Sequence, residues 1–320
     1  MSELLVSAII PAYRRTDRLR KAVESLLSQD LSRDQYEVIV VDSSPDDGNA
    51  EMIKDLQAGA SGRLRFFHKS PEGPGPSRNL GAAVALGQYL AFMDSDCIAS
   101  SEWLREGIAS FTEEVGLVQG RTIPEPGKPH SIFNYYITVE TESFLYEACN
   151  ILYRRQAFEE AGGFLPDMDP HEERPRGGED VDLAWKVKRC GWKSRFAHEA
   201  LVMHEVAQIQ LRQWLINKRL YIFPAILRKF PELRKFFFAH YFYDQNHAYL
   251  ALALAGVLLA FLHPLALLLA IPYILSRGSE PTRSLKGPLR LLRVGVYLVR
   301  DVVSFSLLFA GSIRYRTALL

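Results

Sequence analysis

Two aspartates separated by one serine follow an apolar run in the stretch AFMDSDCIAS, residues 91–100. Carboxylates at positions i and i+2 repel each other unless a cation lies between them or a turn separates them. Asp94 and Asp96 therefore suit Mg²⁺ or Mn²⁺, ions that bridge protein carboxylates to substrate phosphates. The same residue types also favour a turn that closes a strand, so the pattern by itself leaves both interpretations open.

Two further side chains suit a ligand that carries a nucleotide. Asp42 ends the apolar run VIVVD, where a carboxylate can accept from a base or a ribose hydroxyl, with loop capping as the alternative. Arg78 begins the helical pattern SRNLGAAVALG and joins a fixed positive charge to helix N-terminal amides, which suits a diphosphate. A solvated arginine is the alternative there. Gly73 and Gly75 precede it without the third glycine of a dinucleotide loop, so no Rossmann site is predicted.

The elements that must position these residues alternate between apolar runs and helical patterns. Predicted strands are LLVSAIIPAY, YEVIVVDSS, LRFFHKS and YLAFMDSD. Runs that are apolar on both faces, linked by roughly ten-residue helices, predict an α/β fold with a mainly parallel sheet flanked by helices. Ligands of such sheets bind beyond the carboxyl ends of the strands. Four polar clusters fall at those ends: PAYR, residues 42–47, PEGPGPSRN and DSD.

Composition excludes several classes of protein. The chain has 320 residues, 48% of them hydrophobic, and a formal net charge of +1, so no overall field points to nucleic acid. Cys97, Cys149 and Cys190 form no CxxC pair, which argues against a zinc knuckle or a disulfide framework. The N-terminal apolar run lacks a basic region before it, so we expect a first strand and not a signal peptide.

Seven short motifs in chain order resemble the family 2 glycosyltransferases with a GT-A fold. They are SAIIPAYRR, the stretch 38–48 that begins VIVVD, GPSRNLGAA, YLAFMDSDCIASSEWL, ACNILYRRQAFEEAGGF, GGEDVDLAWKVKRCGW and ALVMH, spread over about residues 5 to 205. Each motif is weak alone, but their order makes the resemblance specific. It implies a sugar transferase that uses a nucleotide-diphosphate donor.

The resemblance also implies roles for individual residues. Asp180 matches the general base of the inverting members, with Glu179 beside it shaping the site. Asp96 and His204 would hold the metal, Mn²⁺ or Mg²⁺, although an ordinary histidine at a strand end is the alternative for His204. The donor would contact Pro11, Ala12, Tyr13, Arg14, Asp42, Arg78, Asp94, Ser95 and Asp96.

The substrates are less well defined by the motifs. Ser43 stands where the family often has a second acidic residue, which leaves the base open; we expect UDP, with GDP or dTDP as alternatives. For the acceptor we expect contacts with Asn150, Arg154 and Trp185. Residues 165–178, LPDMDPHEERPRGG, are rich in Pro, Gly and charge and predict a loop that orders on substrate binding.

The C-terminal third changes character. Residues 248–275 contain no Lys, Arg, Asp or Glu, and as one helix they would more than span a hydrocarbon core of roughly 30 Å. His263 and Pro264 in the middle predict either a kink or the turn of a hairpin, and basic flanks on both sides favour the hairpin. A later apolar stretch carries Arg300 and Asp301, which favours an interfacial or helix-packed placement over a simple span. A hydrophobic subdomain of a soluble protein is the alternative.

Taken together, the sequence predicts a GT-A domain over 1–210, a basic and aromatic segment over 211–246 and membrane-associated helices over 247–320. The predicted activity is metal-dependent, inverting transfer of a hexosyl group to a membrane-borne acceptor, lipid-linked or glycan, on the cytoplasmic face. Two alternatives remain. One is a phosphatase of the haloacid dehalogenase type using Asp94 and Asp96, and the other is an inactive membrane-anchored binding protein.

Overall fold

The computed structural model describes residues 4–128, 131, 133–165, 177–279 and 289–320. Most of the predicted loop 165–178 therefore lies outside the described residues. The chain divides into two compact units, a first unit of 1–129, 135–170 and 179–207, and a second unit of 130–134, 171–178 and 208–320.

One eight-stranded mixed sheet forms the centre of the first unit. Its strands are β1 Val6–Ala12, β2 Tyr36–Asp42, β3 Leu64–His68, β4 Tyr89–Met93, β5 Cys97–Ala99, β6 Val115–Pro124, β8 Asn150–Arg154 and β9 Lys193–His204; the two-residue strands β7 Asn134–Tyr135 and β10 Ala207–Gln208 lie outside this sheet. The strand order is β3-β2-β1-β4-β8-β6-β9-β5. Strands β1 to β4 pair in parallel, whereas β8 is antiparallel to β4 and β6. The predicted α/β class is confirmed.

Helices flank this sheet because each buries one apolar stripe. They are α1 Thr16–Leu27, α2 Gly48–Gln57, α3 Pro74–Val84, α4 Trp103–Ala109, α5 Arg155–Glu160 and α6 Glu179–Arg189. Helix α1 buries Leu19, Ala22, Val23 and Leu26, the spacing of one helical face. Each fully buried leucine or valine of this kind stabilises the fold by roughly 1.5–3 kcal/mol.

Helix α3 lies unusually close to the sheet, and this fixes the place of Arg78. The helix starts with Pro74 after Gly73, whose φ of 98° favours glycine. A Cβ on Gly81 would lie 2.5 Å from Ile9 Cγ2 in β1, and one on Gly75 would lie 2.7 Å from the Leu165 carbonyl oxygen. The glycines of this motif therefore serve close packing.

The second unit is helical. It contains α7 Leu211–Leu215, α8 Phe223–Lys229, α9 Gln245–Leu259, α10 Ile271–Ser279 and α11 Leu289–Tyr315, with 3₁₀ helices at Lys218–Ile222, Pro231–Phe236 and Pro264–Ala270. Of the two arrangements expected at His263 and Pro264, the chain forms the hairpin. Helix α9 ends at Leu259, the His263 side chain accepts from Leu265 N, and Gly256 packs against the Ala266 carbonyl. Among the described helices, Arg293–Tyr315 is long and apolar enough to cross a membrane.

Candidate active site

The two aspartates of the DSD motif lie in the turn that joins β4 to β5. Cys97 N donates to the Asp94 carbonyl oxygen at 3.2 Å, so the turn expected as an alternative is present. It does not exclude a metal, because it directs the Asp96 side chain towards another strand. Cys97 pairs with His204 in the antiparallel β5–β9 ladder, and Asp96 Oδ1 lies 3.9 Å from His204 Nε2.

The contacts of His204 fit a cation between these two groups. Its Nδ1 lies 2.8 Å from the Glu205 carbonyl oxygen, which can only accept, so Nδ1 carries a proton and, in the neutral ring, Nε2 presents its lone pair. A lone pair and a carboxylate oxygen facing each other suit a divalent ion. Cys97 Sγ is close by, and burial raises the pKa of its thiol well above the usual value.

Two charged residues near Asp96, Arg15 and Glu205, were not predicted from the sequence as part of the site. Arg15 Nη1 lies 3.3 Å from Asp96 Oδ2 and 3.8 Å from Glu205 Oε2, and Arg18 holds Glu205 at 2.7 Å. Burial and the charge of Asp94 raise the pKa of Asp96, while His204 and Arg15 oppose that rise. Their positions in the sequence could have indicated both residues, because Arg15 directly follows PAYR and Glu205 directly follows His204.

Arg78 is the centre of a second cluster, and it is not the solvated arginine of the alternative interpretation. Its Nη2 lies 2.7 Å from Asp94 Oδ1, and its Nη1 lies 3.4 Å from both Glu179 Oε1 and Asp180 Oδ1. The guanidinium also lies 5.3 Å from the centre of the Phe164 ring. Burial lowers the pKa of Arg78, but the three carboxylates outweigh it and raise the value overall. With 3% of the residue exposed, Arg78 serves these carboxylates and leaves little surface for a diphosphate.

The side chain of Asp180 is mostly buried, but part of it is accessible. It lies in the first turn of α6, where the helix dipole favours negative charge, and its Oδ2 accepts from Ala148 N at 3.1 Å. Burial and the neighbouring charge of Glu179 raise the pKa of Asp180 to about 7, against the opposing effect of Arg78. About a quarter of its side chain, 27%, is exposed. A reachable carboxylate with such a pKa can exchange protons near neutral pH.

The ends of β1 and β2 bring the expected nucleoside residues together. Ala12 pairs with Asp42, and Ser43 N donates to the Ala12 carbonyl at 2.9 Å. Tyr13 is 49% exposed, with the Arg14 guanidinium 5.2 Å from its ring centre. Pro11 is half-buried and Ala12 buried, so Tyr13 and Arg14 present the accessible side chains.

Asp42 itself is an anchor within the loops. It is 1% exposed, and its Oδ1 accepts from Ser44 Oγ at 2.7 Å and from Asn49 Nδ2 at 2.9 Å. This is the loop-capping alternative, and the second carboxylate oxygen, Oδ2, lies 3.8 Å from His68 Nδ1. Arg14 N donates to the same Ser44 hydroxyl at 2.6 Å, and Arg14 has a φ of 57°, a strained conformation typical of functional loops.

Of the three expected acceptor residues, Asn150 and Trp185 are buried and Arg154 is half-buried, and the fold holds the polar groups of all three. Asn150 is 1% exposed, accepts from Trp103 Nε1 and donates to the Arg121 and Ala200 carbonyls. Arg154 donates to the Thr112 and Val115 carbonyls. Trp185 is buried and donates to the Phe144 carbonyl at 3.0 Å. These polar groups are committed to the fold because strand β8 and helix α6 pass through the interior.

A fold with these strand-end clusters is that of the GT-A glycosyltransferases. Residues 7–164 match the model of Glycosyl transferase family 2. The mannosyltransferase PcManGT from Pyrobaculum calidifontis, solved with GDP-Man and Mn²⁺, shares the fold with a TM-score of 0.60 at 17% identity, over 97% of this chain and 86% of that one.

Two named relatives are similar to this chain in sequence. Glycosyltransferase AglE of Haloferax volcanii is 23% identical over 67% of this chain and 75% of its own length. The pre-mycofactocin glycosyltransferase of Mycobacterium tuberculosis is 29% identical over 68% of this chain but only 46% of its own length. The phosphatase alternative gains no support, because Asp94 follows the fourth strand and is held by Arg78.

Proposed function

We propose that this protein transfers a hexosyl group, with inversion at the anomeric carbon, from a nucleotide-diphosphate donor to a hydroxyl of a membrane-borne acceptor. The observation that carries the proposal is the bridge made by Arg78 between Asp94, on the donor side, and Asp180, the candidate base. The buried guanidinium of Arg78 thus contacts both the donor side of the site and the candidate base.

The donor lies, in this proposal, across the ends of β1, β2 and β4. Tyr13 and Arg14 contact the nucleoside, Asp42 Oδ2 meets the base, and Asp94 and Ser95 approach the ribose. Asp96 and His204 would hold Mn²⁺ or Mg²⁺, which when bound neutralises the charge of the departing diphosphate. Arg15, on the exposed side of Asp96, supplies a further positive charge to the same group.

Asp180 takes the proton of the acceptor hydroxyl as that oxygen bonds to the anomeric carbon and the bond to the diphosphate oxygen breaks. A carboxylate on the opposite face from the leaving group gives inversion in a single displacement. The pKa of about 7 places this base near the working pH. Glu179 raises that pKa and Arg78 limits the rise, so both act by positioning and tuning Asp180.

The membrane-borne acceptor is supported by the second unit, which exposes many large apolar side chains along α9, α10 and α11. Lys218, Arg219, Arg228 and Lys229 suit anionic headgroups or a lipid-linked phosphate. We place the catalytic unit on the cytoplasmic face.

The test is incubation of the purified protein with Mn²⁺, radiolabelled UDP-, GDP- or dTDP-sugars and a membrane lipid extract. We expect label in the organic phase with one donor class, and none with Asp180→Asn. Transfer to soluble glycans alone would contradict the membrane-borne acceptor. Release of phosphate from simple phosphomonoesters, with no sugar transfer, would restore the phosphatase alternative.

A further inference from the structure

Helix α11 buries several polar side chains within the second unit and exposes several apolar ones, the opposite of a helix on the surface of a soluble protein. Its buried face carries Arg293, Tyr297, Asp301, Ser304 and Leu308. Its exposed face carries Val296, Val299, Val302, Phe309 and Ile313. The exposed side chains follow one another at helical spacing, so they form an apolar stripe along the helix that Ser306 interrupts.

Asp301, in the middle of the polar side of α11, bonds to two residues of α10. Asp301 accepts from Arg277 Nε and Nη2, both at 2.7 Å, and from Tyr273 Oη at 2.8 Å. At the base of the hairpin formed by α9 and α10, Ser276 Oγ donates to Asn246 Oδ1 at 2.7 Å. The polar base of this hairpin therefore lies against the middle of α11.

A charged, exposed segment runs alongside the same helix. Trp214 packs on Tyr297 with ring centres 5.8 Å apart, and Tyr221 packs on Tyr315 at 5.7 Å. Contacts at Tyr297 and Tyr315 are about 27 Å apart along an α-helix. The segment between the two contacting rings carries Lys218 and Arg219, both exposed.

These contacts distinguish a helix α11 that crosses a bilayer from one that lies in the plane of its interface. If α11 crossed the bilayer, Lys218 and Arg219 would lie near its midplane, together with the polar base of the hairpin. Charged side chains there are costly unless they face a water-filled cavity or a partner. If α11 lay in the plane of the interface, the same residues would stay at headgroup level and the apolar stripe would face the acyl chains.

The hairpin formed by α9 and α10 supplies the deeper part of the same surface. Its tip is the most exposed apolar part of the second unit, with Phe261 90%, Leu262 83% and Leu258 71% exposed. The apolar part of α9, from 248 to 259, reaches about 18 Å, less than the roughly 30 Å of a hydrocarbon core. A hairpin of this reach enters one leaflet and returns.

We infer that the second unit binds one leaflet of an anionic bilayer without crossing it, with α11 in the plane of the interface and the hairpin tip among the acyl chains. This deepens the membrane attachment that is part of the proposed function. The candidate span Arg293–Tyr315 is then an interfacial helix. The basic residues at Lys218 and Arg219 face the headgroups at its edge.

The test measures depth in vesicles made of equal parts of phosphatidylcholine and phosphatidylglycerol, without donor or metal. In a Cys190→Ser background, where the two other cysteines are buried, single substitutions Val299→Cys, Ile313→Cys and Phe261→Cys carry a fluorophore quenched by lipids brominated at known depths. We expect equal depths at 299 and 313 and a greater depth at 261. Because brominated lipids report the distance from the bilayer centre, a membrane-impermeant quencher added outside the vesicles tests the side of each label, and the labels at 299 and 313 should respond alike. Labels at 299 and 313 on opposite sides of the bilayer, about 21 Å apart along a spanning helix, would overturn the inference.

Two variants separate membrane binding from misfolding and from self-association. Phe261→Glu with Leu262→Glu should lower partitioning into these vesicles at least tenfold, whereas Leu86→Glu, at an exposed apolar residue of the first unit, should not. Labels shielded equally without vesicles would identify a dimer interface and contradict the proposal. Nucleotide binding measured on the same variants keeps this outcome distinct from failure of the transferase proposal.

Discussion

Arg78 Nη2 lies 2.7 Å from Asp94 Oδ1, although the two residues come from different elements, helix α3 and the turn after β4. The same guanidinium reaches the first turn of α6 at Asp180. This single side chain therefore connects the metal-side motif with the candidate base.

Asp180→Asn should reduce sugar transfer by about 10²–10⁴-fold, because the amide cannot accept the hydroxyl proton. Binding of the nucleotide should change little, since the substituted atom lies on the acceptor side. Initial rates and calorimetric titration of the nucleotide measure the two effects separately. Glu159→Gln, an exposed carboxylate on α5, is the control. Wild-type transfer by this variant would contradict the role of Asp180 as the base, whereas absence of transfer in the wild type as well would favour the inactive binding protein.

Transfer should depend on pH through Asp180, whose pKa is raised to about 7 by burial and by Glu179. The base must be ionised to work, so kcat/KM should be constant above this pKa and fall about tenfold per pH unit below it. Arg78→Gln removes a cation that lowers this pKa and should move the falling limb to higher pH. Arg78→Lys keeps a charge and should move it less. A profile that stayed in place in both folded variants would contradict the tuning role.

His204→Ala should weaken Mn²⁺ binding at least tenfold, because it removes the nitrogen whose lone pair faces Asp96. Electron paramagnetic resonance of free Mn²⁺ measures the affinity without any turnover. His198→Ala, at an exposed histidine of the same strand, provides the control. Equal affinities in the two variants would remove His204 from the metal site.

Asn150→Ala should lower the free energy of unfolding by roughly 1–3 kcal/mol, since it leaves buried groups without partners. The groups affected are Trp103 Nε1 and the carbonyls of Arg121 and Ala200. Urea unfolding measures the loss, with the exposed Gln156→Ala as control. The KM for the acceptor should not change in the folded fraction; a raised KM with unchanged stability would restore the acceptor role first expected.

The fold could be predicted because its signals are local. The runs in β1 and β2 are apolar on both faces, which is typical of parallel strands covered by helices. The carboxyl ends of parallel strands lie at one edge of the sheet. Ala12, Asp42 and Asp94 were therefore placed correctly at strand ends from the sequence alone.

The side-chain partners could not be predicted because they depend on distant residues. Arg78 meets carboxylates about a hundred positions away in sequence, and no local pattern distinguishes that from a phosphate contact. Asn150 was expected to contact the acceptor, yet strand β8 carries it into the core. The hairpin in the second unit was the favoured one of two alternatives, but the close approach of Gly256 to the Ala266 carbonyl within it had no local signal.

The central claim is that Asp96 takes part in metal-dependent binding of a nucleotide-diphosphate donor. The most direct measurement is calorimetric titration of UDP, GDP and dTDP into detergent-purified protein, with and without Mn²⁺ or Mg²⁺, for wild type and Asp96→Ala. We predict that one nucleotide binds only with metal and that Asp96→Ala abolishes this binding. If no nucleotide bound under any metal condition, or if Asp96→Ala bound as well as wild type, the account of this site would be contradicted.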